Sequence, residues 1–227
     1  MRLSGRRVLV IGASSGIGRA SGQALAAEGA RLAFAGRRRE RLETLVAEVG
    51  SGALALACDV RDERSCREAV AQAISALGGL DALVYAPGLS SFAPLREVDG
   101  EMWRAVLETN LIGASLVMRA AIGALEQSGG KAVFLSSIVK RWAREGYMYG
   151  RMMDASSVAA EVVNALASPE TVRRIAITPR YRDSAPGSDG DGDGDGDGEA
   201  EAEAAEAWGT EALERTRGLR ADPEESA

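Results

Sequence analysis

A glycine-rich loop joins the apolar run Val8–Ile11 to a helical pattern that begins at Gly16. A glycine directly after a strand permits a tight turn, and a second one lets backbone N–H groups approach a phosphate. A third lets the helix pack closely on the strand, and the N-terminus of that helix carries partial positive charge. This order of strand, loop and helix predicts a site for the pyrophosphate of a dinucleotide. The predicted cofactor contacts in the loop are Gly12, Ser14, Ser15, Gly16, Ile17 and Gly18.

Two arginines, Arg37 and Arg38, follow the second apolar run, roughly 20 residues after the glycines. A site for NAD usually has a carboxylate at this place, which holds the 2′-hydroxyl of the adenosine ribose. A guanidinium group instead binds phosphate through charge-assisted hydrogen bonds. Arg37 and Arg38 are also typical of a solvent-exposed start of a helix. As ligand contacts, they favour NADP over NAD.

Histidine is absent from the chain, and the only cysteines are Cys58 and Cys66. The lack of histidine excludes histidine acid–base catalysis, Ser-His-Asp triads and nearly all zinc-enzyme sites. The two cysteines are not in a CxxC spacing, and nothing indicates secretion, so both are expected to be reduced thiols.

The elements that position these residues alternate between apolar runs of strand length and segments with helical periodicity. That alternation predicts an α/β protein with a Rossmann-like, doubly wound parallel sheet and helices on both faces. Right-handed crossovers give about six strands in the order 3-2-1-4-5-6. The predicted strands lie near Val8–Ile11, Arg31–Ala35, Ala53–Cys58, Ala82–Tyr85, Ala132–Ser136 and Arg174–Thr178. The predicted helices lie near Gly16–Ala27, Arg38–Val49, Glu63–Leu77, Glu101–Gln127 and Ala155–Ala167.

Composition divides the chain into residues 1–182, predicted as one nucleotide-binding domain, and an acidic tail over residues 183–227. The tail has 15 acidic and three basic side chains. Its Gly-Asp repeat has almost nothing to bury, so we expect it to be largely disordered. Residues 1–182 have 18 acidic and 24 basic side chains. This small excess of positive charge suits an anionic dinucleotide but is too diffuse to indicate binding of nucleic acid.

The sequence also bears on location and assembly. No signal pattern precedes the first strand, and the longest apolar runs, such as Ala82–Ala86, fall far short of the roughly 20 residues that span a bilayer. We therefore expect a cytoplasmic protein with no membrane partner. On the long predicted helix, apolar residues such as Trp103, Leu107 and Leu111 are expected in the core or in an interface.

Several motifs together give residues 5–138 a resemblance to the short-chain dehydrogenase/reductase family. Besides the glycine loop they are Cys58-Asp59-Val60, the segment around Asn110, and Phe134-Leu135-Ser136-Ser137-Ile138. The resemblance implies a dinucleotide-binding domain that forms a homodimer or homotetramer. It also implies that Asp59 and Val60 contact the adenine, that Asn110 lies at a helix kink and holds a water, and that Ser137 orients a substrate carbonyl.

The chain departs from the family pattern after its fourth strand. The family's Asn-Asn-Ala-Gly is replaced by Tyr85-Ala86-Pro87-Gly88. Ala86 and Gly88 still permit close approach to the ribose and nicotinamide of the cofactor. Pro87 removes a backbone donor and stiffens the turn.

A second departure affects catalysis. The family has a Tyr-x-x-x-Lys pair after the serine, in which the lysine holds the nicotinamide ribose and lowers the pKa of the tyrosine. The only lysines here are Lys131 and Lys140, and no tyrosine is followed by lysine at that spacing. Tyr147 followed by Arg151 is a variant in which arginine supplies the charge.

Two alignments of the later chain remain open. In the first, Tyr149 is the catalytic tyrosine and Met153 occupies the lysine position. In the second, residues 152–179 correspond to the last helix and strand of the family, and the Tyr-Lys helix is deleted. Both give a strand, a helix and a strand around and after Ser137, and both remove the lysine.

Two functions follow from these observations. The first is an NADP-dependent oxidoreductase acting on a carbonyl or alcohol substrate, with Asn110, Ser137 and Tyr149 as catalytic residues and activity impaired by the missing lysine. The second is a catalytically inactive dinucleotide-binding protein that acts as a partner subunit or sensor. A third interpretation, a truncated reductase with no function of its own, predicts poor solubility of the isolated chain.

Overall fold

The computed structural model of the chain describes residues 1–50, 52–90, 95–136 and 155–169. These residues fall into two compact units. The first contains the described residues up to 89 together with 100–136 and 155–169. The second contains, among the described residues, only 90 and 95–99, with one 3-10 turn at Leu95–Glu97.

Five parallel strands form one sheet in the order β3-β2-β1-β4-β5. This confirms the predicted order for the first five strands, and the predicted strand Arg174–Thr178 lies outside the described residues. The strands are β1 Arg7–Ile11, β2 Arg31–Gly36, β3 Leu54–Ala57, β4 Ala82–Tyr85 and β5 Lys131–Phe134. The helices are α1 Gly16–Ala27, α2 Arg39–Val49, α3 Glu63–Leu77, α4 Gly100–Leu107, α5 Gly113–Ser128 and α6 Ala155–Ala167.

The sheet has a hydrophobic layer on each of its two faces, because successive side chains of a strand point to opposite faces. On one face, Leu9 and Ile11 of β1 pack with buried residues of α3 and α5. On the other, Val8 and Val10 pack with buried residues of α1, α2 and α6. Helices on both faces of a parallel sheet make the fold doubly wound, as the sequence predicts.

The helix predicted at Glu101–Gln127 is present but contains a π turn, Glu108–Ile112, between α4 and α5. The whole run Gly100–Ser128 is 29 residues long, with a mean hydropathy of 1.4 in its most apolar window. By length and composition it meets the requirement for crossing a membrane, although a single such helix is weak evidence. One side of α5, with Val117, Ala121 and Leu125, is buried in the core.

An ion pair joins β1 to the start of β4 at the amino edge of the sheet. The Arg7 guanidinium donates from Nε to Asp81 Oδ2 at 2.9 Å and from Nη2 to Oδ1 at 2.6 Å. The backbone N–H of Arg7 donates to the same carboxylate at 2.8 Å. These hydrogen bonds from Arg7 lower the pKa of Asp81 below its ordinary value of 3.8, against the opposing effect of burial.

We expect Asp81→Asn to lower the melting temperature by a few degrees at pH 7, because it removes the negative partner of Arg7. A carboxyl group with a lowered folded-state pKa stabilises the protein above its unfolded-state pKa, and that contribution is lost as the pH falls through the folded-state value. The difference between wild type and variant should therefore shrink below pH 3.8. Thermal unfolding at several pH values between 7 and 3 measures it, and a difference that persists unchanged in acid would contradict the assignment.

Candidate functional site

The predicted cofactor contacts lie at one edge of the sheet. The carboxyl ends of parallel strands meet at the same edge, and the strand order reverses between β1 and β4. In open α/β sheets, a ligand binds outside the carboxyl ends of the strands at such a switch point. The glycine loop follows β1, Arg37 and Arg38 follow β2, Asp59 and Val60 follow β3, and Ala86 and Gly88 follow β4.

The glycine loop is built so tightly that side chains would not fit at two of its positions. Gly12 has a φ of 81°, and a Cβ added there would lie 2.8 Å from the backbone nitrogen of Pro87. A Cβ on Gly18 would lie 2.3 Å from the carbonyl oxygen of Gly12. Gly16 opens α1 at a φ of 52°, with nothing within 4 Å of an added Cβ. The loop therefore packs on the β4 turn at Gly12 and leaves open space at the N-terminus of α1, where Ile17 is half-buried.

Arg38 lies across the glycine loop. Its Nη2 donates to Ser15 Oγ at 2.7 Å and to Ser14 Oγ at 2.9 Å, and its Nε donates to Ser14 Oγ at 3.2 Å. The structure thus brings together three residues that the sequence predicts as cofactor contacts. The first turn of α1 contains no acidic side chain. This cluster of a guanidinium, two hydroxyls and a helix N-terminus can bind anionic oxygen atoms.

Asp59 lies beyond the end of β3 and is held by Arg61. Its carboxylate accepts from the Arg61 backbone N–H at 3.0 Å and from Nη2 at 3.1 Å. Burial opposes ionisation of Asp59, but the hydrogen bonds from Arg61 and the charge of Arg37 outweigh it and lower its pKa. Asp59 is therefore ionised at neutral pH, and Arg37 is close enough to act on it. The neighbouring Val60 side chain is only 8% exposed.

Ala86 and Pro87 follow β4 and pack against the glycine loop. The backbone N–H of Ala86 donates to Ile11 O at 3.0 Å, and the Ala86 Cβ lies 3.2 Å from the position of an added Cβ on Gly18. Gly88 is exposed. Pro87 therefore lies against Gly12 without needing a backbone donor of its own, which explains why this departure from the family pattern is compatible with the fold.

Of the three predicted catalytic residues, only Asn110 is among the described residues. Its Oδ1 accepts from the Leu89 backbone N–H, and its Nδ2 donates to Leu89 O, both at 2.8 Å. Asn110 thus fixes the segment after β4. Ser137 and Tyr149 lie outside the described residues, as does the segment on which the two alignments differ.

Sequence reasoning missed two residues of this region. The sequence does contain a signal for Arg61, because an arginine two residues after an aspartate in a turn can donate hydrogen bonds to the aspartate carboxylate. The sequence identifies Tyr85 only as a departure from the family pattern. In the structure its hydroxyl donates to Thr109 O at 2.5 Å. A tyrosine at the end of a buried strand needs such a partner. Within the described ranges, no group of three or more cysteine, aspartate or glutamate side chains could hold a metal ion.

The fold and this site define a class first. A doubly wound parallel sheet with a glycine loop at the switch point is the arrangement of Rossmann-type nucleotide-binding proteins. Comparison with known proteins then gives the family, because a family model for short chain dehydrogenase matches residues 6–179. The chain belongs to the short chain dehydrogenase family, as its motifs predict.

Individual relatives support this membership. A short chain dehydrogenase of Pseudocercospora fijiensis is 36% identical over 147 residues, which are 62% of this chain and 48% of that protein. An alcohol dehydrogenase from the archaeon Thermococcus sibiricus, solved with 5-hydroxy-NADP, is 28% identical with a TM-score of 0.56, covering 71% of this chain and 66% of that one.

A metagenomic short-chain oxidoreductase, solved with NADP, has a TM-score of 0.69 and 23% identity, covering 80% of this chain and 100% of that one. At this identity the likeness shows the fold alone. The chain spans about half the length of the curated relatives it matches.

Proposed function

We propose that this protein is an NADP-dependent oxidoreductase that acts on a small carbonyl or alcohol substrate in the cytoplasm. The observation that carries the proposal is Arg38 bridging Ser14 and Ser15 at the glycine loop, with Arg37 beside it. Two guanidinium groups after β2, together with the two serine hydroxyls of the glycine loop, suit the 2′-phosphate of NADP better than the free 2′-hydroxyl of NAD. The alcohol dehydrogenase that was solved with 5-hydroxy-NADP supports the same cofactor and substrate class.

The residues present fit a dinucleotide along the whole edge of the sheet. The glycine loop offers a cradle that a side chain would fill. In this proposal Asp59 and Val60, which follow β3, contact the adenosine, and Ala86 and Gly88, which follow β4, contact the nicotinamide half. NADP supplies hydride transfer chemistry when bound. In this proposal Arg37 and Arg38 hold the 2′-phosphate, Ser137 orients the substrate oxygen, and Tyr149 transfers a proton to or from it.

The missing lysine makes the proposed activity slow at neutral pH. Because no lysine stands four residues after Tyr149 in the sequence, we expect the pKa of Tyr149 to stay alkaline. Alcohol oxidation needs the deprotonated tyrosine as a base, so its rate should rise about tenfold per pH unit towards that value. Tyr149→Phe should lower kcat at least about 100-fold.

Steady-state assays with a panel of alcohols and carbonyls between pH 6 and pH 10 check this prediction. Tyr181→Phe is the matched control, since it removes a tyrosine hydroxyl that neither alignment assigns to catalysis and should leave kcat unchanged. Absence of NADPH turnover with every substrate, together with no effect of Tyr149→Phe, would overturn the enzymatic proposal. NADPH binding without turnover would instead favour the alternative, an inactive dinucleotide-binding subunit or sensor.

We also propose that the protein forms a homodimer or homotetramer through the helical run of α4, the π turn and α5. Leu107, Leu111 and Ile112 are 48%, 60% and 48% exposed there, and Trp103 is 36% exposed. Apolar side chains that are this exposed favour an interface. Covering this apolar surface with a second copy would remove it from water.

A further inference from the structure

The π turn Glu108–Ile112 leaves one carbonyl group without its usual helical donor. In an α-helix the N–H of Gly113 would bond the carbonyl of Thr109, four residues earlier. Here the N–H of Gly113 donates to Glu108 O, five residues earlier. The hydroxyl of Tyr85 donates to Thr109 O at 2.5 Å instead. Tyr85 at the end of β4 therefore completes the hydrogen bonding of the π turn.

The surroundings of this contact are fitted to the tyrosine. Tyr85 is 2% exposed, and its ring lies 5.9 Å from that of Phe134 on the adjacent strand β5. A Cβ added to Gly113 would lie 2.8 Å from the Tyr85 hydroxyl and 2.7 Å from Val60 O. Burial raises the pKa of Tyr85, so the hydroxyl remains a donor throughout the physiological range.

The same π turn also holds the loop that leads away from Tyr85. Asn110, the residue next to Thr109, makes two hydrogen bonds to the backbone of Leu89. The segment Ala86–Gly88 is therefore fixed at both ends. Tyr85 before it is hydrogen-bonded to Thr109, and Leu89 after it is hydrogen-bonded to Asn110. Within that segment, Pro87 contacts Gly12, and Ala86 lies beside Gly18. The chain of contacts runs from the π turn, through the β4 loop, to the glycine loop.

We propose that Tyr85 is a positioning residue, whose hydroxyl fixes the π turn and, through Asn110 and Leu89, sets the Ala86–Gly88 wall of the cofactor cleft. This inference rests on the proposed function for its ligand. Because β4 lies on the nicotinamide side of the switch point, the wall contacts the nicotinamide half of the dinucleotide. The adenosine half is held by residues after β1, β2 and β3, whereas the Tyr85 hydroxyl donates to the π turn.

The test is Tyr85→Phe in the full chain. We expect the dissociation constant for NADPH to rise about fivefold, the effect of one lost hydrogen bond, while that for adenosine 2′,5′-bisphosphate stays within about twofold. Without any ligand, amide hydrogen exchange at Leu89 should accelerate more than exchange in β2. Ser128→Ala is the matched control, because it removes a hydroxyl bond of 2.6 Å to Leu80 O at the opposite edge of the sheet.

Equal weakening of both ligands, or unchanged exchange at Leu89, would overturn the role of Tyr85. If the wild-type protein binds neither ligand, the proposed function is wrong. The exchange rate at Leu89 still decides in that case whether Tyr85 holds the loop. A change in the control variant as large as in Tyr85→Phe would mean that general destabilisation, and not loop positioning, explains the result.

Discussion

Replacing both Arg37 and Arg38 with alanine is expected to weaken NADPH binding about 100-fold and NADH binding less than about fivefold. A charge-assisted hydrogen bond contributes roughly 1.5–3 kcal/mol, so the loss of two guanidinium groups from one phosphate accounts for at least that factor. NADH lacks the 2′-phosphate and loses only the support that Arg38 gives to Ser14 and Ser15. Calorimetric titration of both cofactors measures the two changes.

Arg39→Ala is the matched control for this prediction. Arg39 is the next residue along the chain, but its guanidinium pairs with Glu43 on the exposed surface of α2 at 2.8 Å. Such a surface pair contributes little to stability, and its removal should leave both affinities unchanged. An equal loss of NADPH and NADH affinity in the double variant would contradict the assignment of Arg37 and Arg38 to the 2′-phosphate.

Gly18→Ala is expected to abolish measurable NADPH binding and to lower stability by about 2–3 kcal/mol. The added Cβ would lie 2.3 Å from the carbonyl oxygen of Gly12, a backbone atom that cannot rotate away as a side chain can. Either the glycine loop or α1 has to move, and forcing extra volume into a packed site costs roughly this amount. The backbone N–H groups that would hold the pyrophosphate move with it.

Gly123→Ala separates this effect from the general effect of alanine in a helix. Gly123 lies within α5, and nothing lies within 4 Å of a Cβ added there. Alanine is the better helix former, so this control should be neutral or more stable by up to about 1 kcal/mol. Denaturant unfolding and NADPH titration of both variants check the prediction. Gly18→Ala protein with wild-type affinity would show that the loop does not bind the pyrophosphate as proposed.

Much of the fold follows from short-range patterns that a single sequence displays. The apolar runs, the glycine loop and the helical segments set the order of elements, and right-handed crossovers then leave one sheet order for β1 to β5. The ends of the elements are less well determined. The strand predicted at Ala132–Ser136 runs from Lys131 to Phe134, because backbone pairing with β4 fixes its ends.

The contacts missing from the sequence reasoning are those between distant segments. The resemblance implies a helix kink at Asn110, but it does not give the π geometry, which is completed by a hydroxyl more than 20 residues earlier in the chain. The bonds of Arg38 to Ser14 and Ser15 likewise depend on β1 and β2 lying side by side. The charge of Arg38 predicts a phosphate contact, whereas its position over the glycine loop depends on the folded sheet.

We propose that the carboxyl edge of this sheet is an NADP site. Calorimetric titration of the wild-type protein with NADPH and with NADH, under identical conditions, tests it most directly. We predict one NADPH bound per chain, with an affinity at least about tenfold higher than for NADH, because Arg37 and Arg38 meet the 2′-phosphate. Equal affinities, or no binding of either cofactor, would contradict the claim.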